Sequence, residues 1–166
     1  PEDIEFRKAT IMSEGSRLAA ELFSLKSAEG KLPTIIMSHG WGGNAAALRA
    51  DAVPFARAGY LVVTFDYRGW GDSEGQERGW VVPKWQAEDI RNAITFMQTR
   101  PEIDADRIAT YGSGGTGGGN AVYVAAIDSR VQCCVSYLGV SSGREWLHSM
   151  RREYEWVDYL KSIDED

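Results

Sequence analysis

The order of apolar and polar positions divides the chain into alternating strands and helices. Ile4 to Ile11 and Leu18 to Leu25 carry mixed alternation, and the Ser13-Glu14-Gly15-Ser16 break between them predicts a hairpin. After Gly30-Lys31-Leu32-Pro33 the pattern changes. Thr34-Ile35-Ile36-Met37 is a short uninterrupted apolar run, as expected of a strand buried on both faces. Tyr60 to Phe65 is another such run, Arg107 to Tyr111 is the next strand and Val131 to Leu138 the last. An alanine-rich helical segment between the first two runs reaches Ala58 and stops at Gly59. Pro83 opens a second helix in its first turn, where a missing N–H costs nothing, and Ile90, Ala93, Ile94 and Met97 form its apolar stripe. A third helix spans Asn120 to Ile127. A helical tail starts at Arg144, with Trp146, Met150, Trp156 and Leu160 expected along one face.

Strands alternating with helices imply right-handed crossovers. The expected class is therefore α/β, with a mostly parallel sheet covered by helices on both faces and an N-terminal antiparallel hairpin. In such sheets, function gathers at the carboxyl ends of the strands. With 166 residues, 43% of them hydrophobic, the chain can bury the core of one domain, which excludes a disordered or disulfide-stapled protein. A net charge of −6 argues against a nucleic-acid partner. No run approaches the length of a membrane span, and no signal peptide opens the chain. The adjacent Cys133 and Cys134 point to opposite faces of a strand and form no disulfide, so a reducing, cytoplasmic setting is expected. Two distant histidines and one Cys-Cys pair offer no metal site.

Three loops at strand ends stand out. Ser38-His39-Gly40-Trp41-Gly42-Gly43 follows the first buried strand, and its glycines let main-chain N–H groups approach a ligand, that of Trp41 foremost. The bland reading is a tight turn in which His39 bonds locally. The second loop, Asp66-Tyr67-Arg68-Gly69-Trp70-Gly71-Asp72-Ser73, reads as bracing, with an Asp66–Arg68 pair and an Asx turn at Asp72.

The third loop holds six glycines in the eight positions 112 to 119. Gly112, Gly114 and Gly117 satisfy G-x-G-x-x-G, the dinucleotide fingerprint. That motif calls for a carboxylate about 20 positions on, but Ser136-Tyr137-Leu138-Gly139-Val140 has none. A phosphate loop would need a lysine after the glycines, and none follows. The competing reading is a nucleophile elbow, a strained strand-to-helix turn.

Taken together, the hairpin, the His39-Gly40-Trp41-Gly42-Gly43 and Asp66-to-Ser73 strand ends, and Asp104-Ala105-Asp106-Arg107-Ile108 leading into the glycine turn are specific. Over residues 4 to 140 the chain resembles the α/β-hydrolase family, particularly its dienelactone-hydrolase, acyl-esterase and X-Pro-peptidase-like branches. The resemblance implies an acyl substrate such as a carboxylic ester, no cofactor, and oxyanion donors at the N–H groups of Trp41 and Gly115. It puts the nucleophile at position 114, which is Gly, and the small residue that usually follows at Thr116; Ser113 is the fallback nucleophile one place early. His39, Gly40, Trp146 and His148 are the expected pocket residues. The acid and histidine of the family follow later strands, so the triad is incomplete here and the sheet reads as truncated after its sixth strand. The alternatives are a non-catalytic pseudo-hydrolase or ligand-binding domain and, third, a dinucleotide-binding domain. Residues 1–143 are the expected core and 144–166 a helical tail serving as lid or cap, with a homodimer contact expected if its apolar face is open.

Overall fold

The computed structural model describes residues 1–164. Six strands form one sheet: β1 (Ile4–Ser13), β2 (Ser16–Leu25), β3 (Leu32–Ser38), β4 (Leu61–Phe65), β5 (Ile103–Ser113) and β6 (Val131–Tyr137), in the spatial order β1-β2-β4-β3-β5-β6. β1, β2 and β4 pair antiparallel, whereas β4, β3, β5 and β6 are parallel. The hairpin and the mostly parallel sheet are those indicated by the apolar pattern.

Period-2 alternation sends neighbouring residues of β3 to different faces. Ile35 and Met37 join Val62, Leu48, Ala52 and Ala56 under α1 (Arg49–Arg57). Ile36 faces the other way, into a cluster with Val63, Ile90, Ile94, Met97, Ile108 and Val124 under α2 (Pro83–Gln98) and α3 (Gly114–Ile127). Each apolar residue of the α2 stripe is buried. The chain leaves β3 to one side for β4, then crosses back over β3 to reach β5 on the other. The carboxyl ends of β3 and β5 therefore flank the crevice where this architecture places ligands.

Three expectations need correction, and β6 differs from the inner strands. α3 begins at Gly114, six residues before Asn120, so most of the glycine run is helix rather than loop. The tail is two helices, α4 (Gly143–Ser149) and α5 (Glu153–Asp164), and Met150 between them is exposed rather than part of a stripe. β6 is not buried on both faces. It is the outermost strand among the described residues, and Val135 and Tyr137 of β6, the following Leu138, and Val122 and Ile127 of α3 stand exposed. Finally, Asp66 and Arg68 do not pair with each other. Asp66 accepts from the N–H groups of Ala45 (2.6 Å) and Asp72 (2.8 Å), while Arg68 turns to Asp89 and Glu88 on α2. The carboxylate that organises this loop is thus Asp66, not Asp72.

Candidate active site

β5 ends at Ser113 and α3 starts at the next residue, so the chain reverses within a single residue. That residue is Gly114, with φ +76°. A left-handed backbone here is easy for glycine and strained for any L side chain. Space, however, is available. A Cβ on Gly114 would meet nothing nearer than Gly40 Cα at 3.4 Å, an ordinary van der Waals contact.

Most of the other glycines serve a different purpose, because they lie where a side chain would strike the main chain. A Cβ on Gly112 would overlap the Gly117 carbonyl, one on Gly117 would sit 2.7 Å from the His39 carbonyl oxygen, and one on Gly119 would sit 2.7 Å from that of Val140. Gly40 repeats the pattern from the opposite loop, since its Cβ would fall 2.7 Å from the Ser113 carbonyl oxygen. The first turns of α3 are therefore pressed directly onto the loops that follow β3 and β6.

Beside this contact opens a cavity of about 630 Å³, walled mainly by Trp41, Val81, Tyr123, Val140, Trp146 and Leu147. The rings of Trp41 and Trp146 meet edge to face at 5.9 Å across it. Gly115 lines it as well. Among the described residues, the N–H groups of Trp41 and Gly115 donate to no protein acceptor. Thr116, where the family pattern has its small residue, contributes a buried hydroxyl with no hydrogen-bond partner among the described residues.

The structure thus gathers Trp41, Gly115 and Trp146 around one cavity, with Gly40 and Gly114 in contact behind it. It does not bring the two histidines there. His39 is buried: its Nδ1 lies 2.9 Å from the Gly40 carbonyl oxygen, and its ring packs on Tyr67 and Trp70. Burial holds its imidazole below the ordinary histidine range, so it stays neutral where it sits. His148 follows the wall residue Leu147 on α4 but does not line the cavity; it stacks on Trp156 with Nε2 2.9 Å from Glu153. Ser113 is the last residue of β5, partly exposed, and its side chain makes no cap bond to α3. Gly114 itself stands at the strand-to-helix bend with a left-handed backbone and no side chain.

Several wall residues escaped the sequence reading. Tyr123 lies one helical turn beyond Gly119, a spacing that marks one face of α3. Asn120, on the same helix, donates to Gln86 Oε1 (2.8 Å) and Tyr67 Oη (3.4 Å), a buried polar bridge to α2. Desolvation pushes the Tyr67 phenol up to about 12. Lys84 also reaches the cavity; the only hint in the sequence was its place beside the helix-opening Pro83.

Comparison with known proteins places this arrangement. Residues 14–159 match the family model for X-Pro dipeptidyl-peptidase, the S15 family. An uncharacterized 31.7 kDa protein of Escherichia coli, from the traX-finO intergenic region, is 37% identical over 154 residues, covering 92% of this chain and 52% of that protein. The thiohydrolase aneE of Aspergillus aculeatus is 34% identical over 139 residues, 81% of this chain and 40% of its own length. The crystal structure of hypothetical protein PA2218 from Pseudomonas aeruginosa superposes with a TM-score of 0.73 at 32% identity, covering 81% of this chain and 42% of that one. The chain spans about half the length, or less, of these relatives.

Proposed function

The chain belongs to the X-Pro dipeptidyl-peptidase (S15) family, an α/β-hydrolase fold, and from that premise we propose that its cavity binds carboxylic esters or related acyl compounds, with the acyl oxygen held by the N–H groups of Trp41 and Gly115. The observation that carries this reading is Gly114: one left-handed residue between strand and helix, beside an aromatic cavity and two main-chain donors without acceptors. Fixed amides of this kind stabilise charge developing on a carbonyl oxygen. Cleavage also needs a nucleophile and a base to activate it. Gly114 supplies no nucleophilic atom, and neither histidine faces it. In this reading the described residues hold the acyl group, and Gly114, His39 and His148 supply neither of those two roles. The name thiohydrolase, borne by a relative, supports an acyl rather than a dinucleotide ligand.

In this reading residues 1–143 are the core and the tail from 144 is a cap, supported by Trp146 and Leu147 of α4 in the cavity wall. Two free cysteines support a cytoplasmic setting, and the net charge of −6 supports a small-molecule rather than nucleic-acid ligand. No described helix is long and apolar enough to cross a membrane.

The test uses a non-hydrolysable ketone, 4-phenyl-2-butanone, titrated against tryptophan fluorescence. Saturable binding that weakens in a Trp146→Ala variant is expected, together with background-level hydrolysis of p-nitrophenyl butyrate. A Gly114→Cys variant should be alkylated at 114 by phenacyl bromide and protected there by the ketone, with Cys133 and Cys134 as internal controls. Absence of saturable binding, or ester hydrolysis that disappears in a Ser113→Ala variant, would overturn the reading.

A further inference from the structure

Only one formal charge faces the cavity, and it is positive. Lys84 is the sole Lys, Arg, Asp or Glu among the lining residues. Its ammonium makes no ion pair among the described residues, although the chain carries 24 acidic residues against 18 basic ones. Lys8, Lys26 and Lys31 are unpaired among the described residues as well, so what sets Lys84 apart is its place in the cavity wall.

A second, independent feature has the same sign. Pro83, the first residue of α2, also lines the cavity, so the amino end of this 16-residue helix opens onto it. The preceding Val82 makes no side-chain cap bond, and no acidic residue lies in the first turn. The N–H groups of that turn are left without side-chain acceptors, and the helix dipole adds positive potential at the same rim. Lys84 is open to water, so its attraction for an anion is modest and screened by salt. Tyr123, Trp41 and Trp146 meanwhile provide flat faces for an aromatic or extended apolar body.

We infer that Lys84 makes the cavity selective for acyl compounds that also carry a carboxylate, the ammonium and the opening turn of α2 receiving the anion while the aromatic walls hold the body. This rests on the acyl-binding reading above and adds to it the charge of the ligand and the residue that selects it. Lys84 is exposed and packs in no core cluster, so its replacement leaves the fold alone.

The experiment is isothermal titration calorimetry of the whole chain with 4-oxo-4-phenylbutanoate and with its uncharged primary amide. The carboxylate should bind about tenfold tighter at low salt, and the gap should narrow as salt is raised to 0.5 M. Lys84→Gln should bring the carboxylate down to the amide's affinity while leaving the amide within about twofold of its original value; Lys84→Arg should keep most of the preference. Equal affinities in the unaltered chain, or a preference that survives in Lys84→Gln, would overturn this inference alone. Failure of both the carboxylate and the amide to bind would overturn it together with the acyl-binding reading.

Discussion

The turn after β5 and the loop after β4 leave the same end of the sheet, yet they are secured by opposite means. At Gly114 main chain lies on main chain, and Gly40, Gly112, Gly117 and Gly119 are needed because any side chain would occupy the contact. The loop after β4 is secured by side chains instead. Asp89, fully buried, accepts from Ser13 Oγ (2.5 Å), Arg68 N (2.8 Å) and Arg68 Nε (2.9 Å), while Ser73 Oγ donates to the Asp66 carbonyl oxygen (2.6 Å) and accepts from Ala19 N (2.9 Å). Burial raises the Asp89 carboxyl even against the pull of Arg68, so the pair is maintained at a desolvation cost. Apart from Gly114 itself, the glycines of the first region leave no room for an added atom, whereas the second cannot spare a partner.

The sharpest way to break this contrast is to add a methyl group to the elbow. Gly112→Ala should cost at least about 3 kcal/mol in urea unfolding or prevent folding, because α3 must move off β5. Gly114→Ala, which meets only an ordinary contact, should cost about 1–2 kcal/mol through its φ alone. Equal losses at the two positions would mean that space is not what sets them apart.

In the braced loop the opposite change should matter. Asp89→Ala removes the buried one of the two carboxylates that pair with Arg68 and should destabilise by about 3 kcal/mol, and Asp89→Asn by less, since the amide oxygen can still accept from Ser13 Oγ and Arg68 Nε while the bond from the Arg68 main-chain N–H is lost. Near-neutral unfolding midpoints for Asp89→Ala would show the charges to be incidental.

The smallest expected effect reads the junction of the two regions. His39 is held below its ordinary range by burial. As pH falls through about 6.5 the unfolded chain takes up a proton that the folded chain refuses. The stability contributed by this site is thus complete above that pH and is lost as the pH drops towards the folded value. Urea midpoints at pH 7.5 and 5.5 should differ in that direction, and His39→Gln should reduce the difference.

The two regions were also unequally legible. Period-2 runs and the Pro83 helix start made the sheet and α2 readable, because burial and φ restriction act within a few residues. The glycine run announced close approach, and the family resemblance assigned Gly114 to the bend. What the glycines approach was not visible, since His39 and Val140 are far away in sequence. The partner of Arg68 was misread for the same reason: Asp66 is two residues away and Asp89 is 21, and proximity in the chain is a poor guide once a helix folds back over the loop. His39 and His148 looked like pocket residues only because chemistry favours histidine. Their positions were set by packing on Tyr67, Trp70 and Trp156, which no local pattern encodes.

With nothing but hydrogens separating Gly40 from Gly114, the segments bearing the Trp41 and Gly115 amides form a single mechanical part. Thermal motion or substitution in Tyr123, Trp146 or Leu147 can reshape the room around a guest, but the pitch between the two donors is held by the main-chain contact behind them. Ligand preference in such a protein can drift over generations through its furnishings while the hinge-free frame beneath stays the same.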